Sequence, residues 1–321
     1  MYKKISDFRV GDNIEGFYLI KAVTVKTSSN NKTFLDLNLA DRTGEINAKL
    51  WDCTKEDENE FVEGKLIKVR GNVSEWQNRL QLKIMRIRLS DDEDYISLDD
   101  YVPTAPEESE IMYEKILSYI ETMNNKDIYD IVSYIFKESK DRLMFYPAAK
   151  SNHHAIHGGL LYHTLTMLTM AEKVCEIYTF LDKDLLFGGV ILHDMAKLDE
   201  MDSNELGIVS SYTSEGELLG HIIQGIKNIE KISDKVGADK EITTLLQHMV
   251  LSHHYEPEFG SPKRPMIPEA EILHYLDVID ARMFDMKKTL ENIKPRGFSD
   301  KVWTLNNRKL YKVAYRQRSE G

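Results

Sequence analysis

Apolar and polar residues alternate along much of residues 12–90, which predicts β-strands. The segment NIEGFYLIKAVTVKT is rich in β-branched and aromatic residues, and TFLDLNLAD places apolar side chains at alternate positions. The turn residues DRTG then lead into a returning strand, EINAKLWD. Two more strands are predicted over residues 65–73 and 80–89, with a short polar insertion after the third strand. Five strands in this arrangement predict a small β-barrel.

Beyond residue 110 the apolar residues recur every three or four positions, as they do on one face of a helix. Seven segments show this pattern: EIMYEKILSYIETM, DIYDIVSYIFKES, LLYHTLTMLTMAEKVCEIY, KDLLFGGVILHDMAK, LGHIIQGIKNIEKIS, EITTLLQHMVLSHH and PEAEILHYLDVIDARMFDMKKTLENI. Residues 91–110 are acidic, include two prolines and show little periodicity, which indicates a linker. We therefore predict a multidomain chain: an all-β barrel (1–90), an acidic linker (91–110), an all-α domain (111–300) and a tail (301–321).

The composition excludes a membrane protein and leaves a nucleic-acid partner open. No apolar run reaches the roughly 18–20 residues that span a bilayer, and no signal peptide is evident, so we expect a cytoplasmic protein without a membrane partner. Cys53 and Cys175 are then expected to be free thiols. The net charge of −11 disfavours nucleic acid, yet residues 1–90 hold 16 lysines and arginines against 13 acidic residues. An acidic remainder is compatible with nucleic acid if metal ions contact the phosphate.

The histidines point to a metal or catalytic site. All ten lie between His153 and His274, and scattered structural histidines would not cluster in this way. Within that span, LLFGGVILHDMAK ends an almost continuous apolar run on His193, Asp194 and Lys197. Burial of these polar groups costs several kcal/mol unless they are paired or bound to metal. An adjacent histidine and aspartate can offer one nitrogen and a bridging carboxylate to cations.

Further polar residues interrupt apolar helical stretches of the same domain: His163, His221, His253, His254 and Asp277. Each one alone is more simply interpreted as a core residue with a hydrogen-bond partner. Their number, on separate predicted helices, favours convergence on one metal site. His248 and His274 are interpreted as ordinary helix residues.

Two groups of motifs carry a resemblance to known families. GEINAKLWD and FVEGKLIKVRGNV resemble the nucleic-acid-binding OB domains related to anticodon-binding modules. The order of histidines and aspartates from His163 to Asp277 resembles the HD superfamily of metal-dependent phosphohydrolases. An OB domain followed by an HD domain is similar to the YhaM-type 3′→5′ exoribonucleases, and the resemblance covers nearly the whole chain. Ala196 departs from the glycine that more often follows the HD pair in this motif.

The resemblance implies a ligand set for two divalent ions. The first would be held by His163, His193, Asp194 and Asp277, and the second by His221, His253 and His254, with Asp194 bridging. Asp280 is a rival to Asp277, because both lie on one helix face, and the family pattern favours Asp277. Mixed histidine and carboxylate ligands suit Mn²⁺ best, with Fe²⁺ and Co²⁺ as alternatives. Asp194 and Lys197 would be catalytic, with Lys197 offsetting charge on the phosphoryl group.

Nucleic-acid contacts are expected from aromatic and basic residues of the barrel, because single strands stack on aromatic rings and follow basic grooves. The candidates are Tyr18, Phe34, Lys49, Trp51, Trp76, Arg79 and Lys83. A place in the barrel core is the alternative for any one aromatic. His153, His154 and His157 lie in a loop-like stretch and are candidates for contact with substrate phosphate. The pair Lys263-Arg264 and the basic tail are interpreted equally well as a solvated surface.

The leading hypothesis is a metal-dependent 3′→5′ exoribonuclease whose OB domain grips single-stranded RNA while the HD site cleaves it. Single-stranded DNA is an alternative substrate, and the direction of cleavage comes from the resemblance alone. A second hypothesis is an HD phosphohydrolase that acts on a nucleotide or cyclic dinucleotide under control of the OB domain. A third is a non-catalytic nucleic-acid-binding protein. The sequence leaves a homo-oligomer open.

Overall fold

The computed structural model describes residues 3–28, 30–77, 79–150, 154–291 and 293–315. The chain forms two compact units, Met1–Thr104 and Ala105–Gly321. The division between them falls inside the acidic segment that the sequence predicts to be a linker. Within the described ranges, no helix combines the length and the apolar character that crossing a membrane requires.

The first unit is a closed five-stranded barrel with the strand order β1-β2-β3-β5-β4. Its elements are β1 (Asn13–Thr27), β2 (Thr33–Asp41), β3 (Gly44–Trp51), α1 (Lys55–Glu60), β4 (Leu66–Trp76) and β5 (Arg79–Leu89). The polar insertion predicted after the third strand is α1, which begins with a capping box between Thr54 and Asp57. β3 and β5 run parallel, and the other neighbouring strands are antiparallel. This is the predicted OB-type barrel.

The alternation in β2 and β3 separates a core face from an outer face. Leu35, Leu37 and Leu39 are fully buried inside the barrel. The intervening residues of β2 therefore point outward, as do those of β3 that pair with them, including the pair Phe34 and Trp51. The outer face of these strands is thus available for contacts that the core does not use.

The second unit is helical, as predicted. Its helices are α2 (Ser109–Glu121), α3 (Lys126–Glu138), α4 (Lys140–Leu143), α5 (Gly159–Ile177), α6 (Lys183–Leu192), α7 (Lys197–Glu200), α8 (Ser214–Val236), α9 (Lys240–Ser252) and α10 (Pro268–Glu291). All residues of α6 from Leu185 to Leu192 are buried, and Asp182 caps its N-terminus through the backbone N–H of Leu185. This central helix delivers the HD pair into the interior of the unit.

One feature of the second unit differs from the all-α prediction. A two-stranded hairpin, β6 (Met201–Ser203) and β7 (Val209–Tyr212), separates α7 from α8. Its turn contains Gly207 with φ +73°, a conformation that favours glycine. The strands are too short and too polar to produce a readable alternation, which is why the sequence pattern did not reveal them.

Candidate metal centre

Five histidines converge from four helices of the second unit: His163 on α5, His193 after α6, His221 on α8, and His253 and His254 after α9. Each of them places its Nδ1 against an oxygen. The Nδ1 contacts are His163 to Asp280 Oδ2 at 2.7 Å, His193 to Val190 O at 2.8 Å, His221 to Glu200 Oε1 at 3.1 Å, His253 to Val250 O at 2.7 Å and His254 to Phe259 O at 2.6 Å. An Nδ1–H that donates to oxygen leaves Nε2 as the atom with a lone pair for a cation.

The carboxylate of Asp194 lies between two sets of these Nε2 atoms. Its Oδ2 is 3.4 Å from His193 Nε2 and 3.7 Å from His163 Nε2. Its Oδ1 is 3.6 Å from His221 Nε2 and 3.9 Å from His253 Nε2. Two ligands of one ion, each about 2.1 Å from it, are typically about 3.0–3.5 Å apart, so these separations are close to those of a shared cation.

Several buried ligand atoms of the site lack a hydrogen-bond partner, and a bound cation would serve as their partner instead. Among the described residues, Asp194 Oδ1, His221 Nε2 and His253 Nε2 are buried without a hydrogen-bond partner. Each buried unsatisfied polar atom costs about 1–3 kcal/mol. His163 Nε2 and His193 Nε2 also approach to 3.3 Å. The donor set therefore fits divalent cations that accept nitrogen and oxygen ligands.

Among the described residues, three groups of three residues each offer ligand atoms within 4.8 Å of one another. One group is His163, His193 and Asp277, and another is His221, His253 and His254. These two correspond to the ligand sets that the resemblance implies, with Asp194 between them. The third group is His154, His163 and Asp280. Since Asp277 Oδ1 lies 3.4 Å from His163 Nε2, Asp277 is on the side of the imidazole that faces Asp194.

Asp280, the rival of Asp277, lies on the opposite side of the His163 ring. Its Oδ2 contacts His163 Nδ1 and also His154 Nε2, each at 2.7 Å. Burial alone would raise the pKa of Asp280, but the hydrogen bonds to His154 and His163 outweigh it and hold that pKa far below its usual range. In this position the charged carboxylate can orient His163 through Nδ1, whereas Asp277 lies on the Nε2 side of the ring.

His154 belongs to this orienting group, and this corrects the expectation that it contacts substrate phosphate. Its side chain is 1% exposed, and its ring packs 4.1 Å from that of Phe284. A buried imidazole bound to Asp280 is not available to a phosphate. His153 lies outside the described residues, and the carbonyl of half-buried His157 accepts a hydrogen bond from Ala105.

We expect Asp280→Asn to weaken the binding of Mn²⁺ by about 10- to 100-fold, because residues that orient a ligand histidine have effects of this size. Asparagine keeps the size of the side chain but removes the negative charge that polarises His163. Calorimetric titration with Mn²⁺ measures the change. The matched control is Asp285→Asn, five residues further along α10. Equal Mn²⁺ affinity in Asp280→Asn and Asp285→Asn would contradict the role given to Asp280.

Lys197 and Asp194 form a close ion pair, with 2.7 Å between Lys197 Nζ and Asp194 Oδ2. Burial would lower the pKa of Lys197, but the carboxylate of Asp194 outweighs it and the pKa is raised. Burial likewise would raise the pKa of Asp194, yet Lys197 and His193 hold it well below its usual range. Burial and the neighbouring His254 lower the pKa of His253, which keeps that imidazole neutral. Charged Asp194 and neutral His253 are in the protonation states that metal ligands require. Burial would lower the pKa of His193, but the neighbouring Asp194 outweighs it and the pKa is raised.

The sequence did not reveal Glu200, whose carboxylate contacts His221. Glu200 follows the HD motif at the end of a four-residue helix, where spacing alone carries no signal.

His248 and His274 have structural contacts. His248 Nε2 accepts a hydrogen bond from Met266 N, and the Nδ1 of His274 lies 2.7 Å from the carbonyl of His253.

The barrel candidates separate into core and surface residues. Tyr18 is 1% exposed, and its hydroxyl donates to Lys3 O, so it is a core residue and not a stacking surface. Trp51 is 43% exposed and stacks on Phe34, with 4.5 Å between ring centroids, which leaves Phe34 itself buried. Trp76 is 66% exposed beside Arg79 in the β4–β5 hairpin.

The basic candidates lie on the outer face of adjoining strands. Lys49 on β3 is paired in register with Lys83 on β5, and Lys83 is exposed. Lys49 Nζ lies 5.0 Å from the centroid of the Phe34 ring and 3.2 Å from Asp36 Oδ1. Aromatic rings and lysines therefore share this face, although Asp36 offsets part of the charge of Lys49.

Comparison with known proteins relates both units to described families. Residues 19–90 match a family model described as an OB-fold nucleic acid binding domain, and residues 160–282 match the HD domain model. A further model, described as a helicase, matches residues 106–184, which end before His193. Among solved structures, two of a domain of replication protein A from Methanococcus maripaludis, one of them described as its second OB-fold domain, are similar to part of this chain. They share 21% and 24% identity, cover 29% and 28% of this chain and 97% of each of those chains, and have TM-scores of 0.24 and 0.25.

A relative matches the chain along almost its whole length. The 3'-5' exoribonuclease YhaM of Geobacillus sp. (strain WCH70) is 44% identical over 315 residues, which are 98% of this chain and 96% of that protein. The match includes both the barrel and the helical unit that carries the histidine cluster. The HD domain implies dependence on a divalent metal. With an OB barrel, an HD domain and this identity, the chain belongs to the YhaM family.

Proposed function

We propose that this protein is a 3′→5′ exoribonuclease that shortens single-stranded RNA, hydrolysing each phosphodiester bond at the centre around Asp194. The observation that carries the proposal is the position of the Asp194 carboxylate between two groups of histidine Nε2 atoms. The direction and the RNA substrate are supported by the relative that is named a 3'-5' exoribonuclease and matches 98% of the chain.

The donor set supports two ions, with Mn²⁺ as the first choice because mixed nitrogen and oxygen ligands suit it. His163, His193 and Asp277 would hold one ion, His221, His253 and His254 the other, and Asp194 would contribute one oxygen to each. Such ions lower the pKa of bound water and polarise a phosphate. The histidine rings are already oriented for this binding, because each Nδ1 contacts an oxygen and Nε2 is left for the ion.

Lys197 would act on the phosphate directly. Its side chain is 12% exposed at the edge of the buried centre, and its raised pKa keeps it charged. A fixed positive charge in this position would offset the negative charge that develops on a phosphoryl oxygen during hydrolysis. The pairing with Asp194 holds the ammonium group beside the reacting atoms.

The barrel would hold the RNA without reading its sequence. Exposed rings such as Trp51 and Trp76 can stack on any base, while Lys49 and Lys83 attract the backbone. A protein that degrades RNA progressively needs this tolerance, since each new base takes the place of the previous one.

Purified protein should convert 5′-labelled single-stranded RNA into a ladder that shortens from the 3′ end in the presence of Mn²⁺. EDTA should stop the reaction and added Mn²⁺ should restore it, because in the proposed mechanism the bound ions activate the attacking water. A 5′-labelled DNA of the same sequence measures the preference between RNA and DNA. RNA that stays intact while a cyclic dinucleotide is hydrolysed would contradict the exoribonuclease and favour a nucleotide phosphodiesterase.

A further inference from the structure

The helix that carries His221 is broken immediately before that residue. Gly220 has φ 68° and ψ 165°, inside α8, a conformation that is open essentially only to glycine. The break separates the backbone N–H of His221 from the regular helical hydrogen bonds. Glu200 accepts this N–H through Oε1 at 3.0 Å, and both its oxygens lie 3.1 Å from His221 Nδ1. One carboxylate therefore holds both the backbone and the ring of His221.

Glu200 is itself held firmly by the beginning of α8. Its carbonyl accepts the backbone N–H of Thr213 at 2.9 Å. A Cβ placed on Gly216 would lie 2.2 Å from the same carbonyl oxygen, so the two backbones touch at a position where a larger residue does not fit. The Glu200 side chain is 14% exposed. Burial would raise its pKa, but the hydrogen bond to His221 outweighs it and keeps the carboxylate charged.

Each of the two groups of histidines thus has its own carboxylate in contact with the Nδ1 of one member. Asp280 lies behind His163 in one group, and Glu200 lies behind His221 in the other. Glu200 is only three residues from Lys197, so the segment that carries Asp194 also positions His221. We propose that Glu200 is a positioning residue that sets the affinity of the ion held by His221, His253 and His254. The inference rests on the proposed two-ion function.

Calorimetric titration of the metal-free full-length protein with Mn²⁺ tests this directly. Wild-type protein should bind two ions. Glu200→Ala should bind one ion as the wild type does and the other about 10- to 100-fold more weakly. At two equivalents of Mn²⁺, the electron paramagnetic resonance signal of a coupled pair should give way to that of isolated Mn²⁺. Glu200→Gln keeps an acceptor and should be intermediate. The control is Glu217→Ala, which removes an exposed carboxylate from the same helix.

RNA hydrolysis by Glu200→Ala should recover when Mn²⁺ is raised about 10- to 100-fold, with an unchanged KM for RNA. Wild-type affinity for both ions in Glu200→Ala, or equal weakening of both, would overturn the inference. Retained binding of one ion shows that the variant is folded. If the wild type binds two ions but leaves RNA intact, the proposed function fails, while the selective loss in Glu200→Ala would still support the role of Glu200. A single ion in the wild type would contradict the two-ion centre and the role of Glu200, whereas the exoribonuclease activity is judged by the cleavage ladder.

Discussion

Asp194→Asn should lower the rate of RNA hydrolysis by about 10³-fold or more, which corresponds to about 4 kcal/mol of activation free energy. The Asp194 carboxylate faces both groups of histidines, with Oδ2 toward His163 and His193 and Oδ1 toward His221 and His253. An amide offers only one oxygen and no charge, so it cannot serve both groups. The measurement is the single-turnover rate on 5′-labelled RNA at saturating Mn²⁺.

Asparagine is preferred to alanine here because it keeps an acceptor for Lys197 Nζ. Both substitutions break the ion pair with Lys197, at a typical cost of about 3–5 kcal/mol of folding free energy, and alanine would remove the hydrogen-bond acceptor as well. The matched control is Asp234→Asn, on the exposed face of α8, which should retain wild-type activity. Asp194→Asn should still bind RNA, since the barrel is untouched. Substantial hydrolysis by folded Asp194→Asn would place the chemistry elsewhere.

The candidate ligands could be identified from the sequence because polar residues in apolar helices stand out along the chain. His193 and Asp194 follow a run of buried residues from Leu185 to Leu192, and His163 lies on the mostly apolar buried face of α5. A buried polar residue must have a partner, so its position in sequence already carries chemical information. The comparisons confirm the two-domain fold and the family to which these motifs belong.

The residues that support the ligands could not be predicted, because tertiary packing alone brings them together. His154 and Asp280 are 126 positions apart, and the geometry of α5 and α10 decides that they meet behind His163. Glu200 contacts His221 at the point where α8 breaks at Gly220. Hydrophobic periodicity records which face of a helix is buried, but it does not record what that face will meet.

Tyr18 shows a similar limit in the barrel. It lies in a run from Phe17 to Ile20 in which every residue is buried, so alternation gives no sign of which side chains face outward. In β2 and β3 the alternation is regular, and there it separates the core leucines from the outer face with Phe34 and Trp51. Sequence therefore identified the barrel more reliably than its contact residues.

The double substitution Trp51→Ala and Trp76→Ala should weaken binding of single-stranded RNA by about 10²-fold or more. Loss of one stacked base costs about 1–3 kcal/mol, and the two rings lie at the ends of different strands, where each can receive its own base. Both side chains are well exposed, at 43% and 66%, so their removal leaves no cavity in the barrel core. Fluorescence anisotropy with labelled RNA and EDTA measures binding without cleavage.

The matched control for the tryptophans is Trp303→Ala. Trp303 is 69% exposed and lies in the helical unit, so this substitution removes an exposed tryptophan side chain outside the barrel. It should leave RNA affinity unaltered. In cleavage assays the double variant should show a raised KM and an unchanged kcat at saturating RNA, since the centre around Asp194 is intact. This result would indicate a loss of uniform binding, in which the binding of the substrate and the binding of the transition state are weakened equally. A lowered kcat with unchanged affinity would instead mean that these rings act on the reacting end of the strand, and the barrel would lose the role proposed for it.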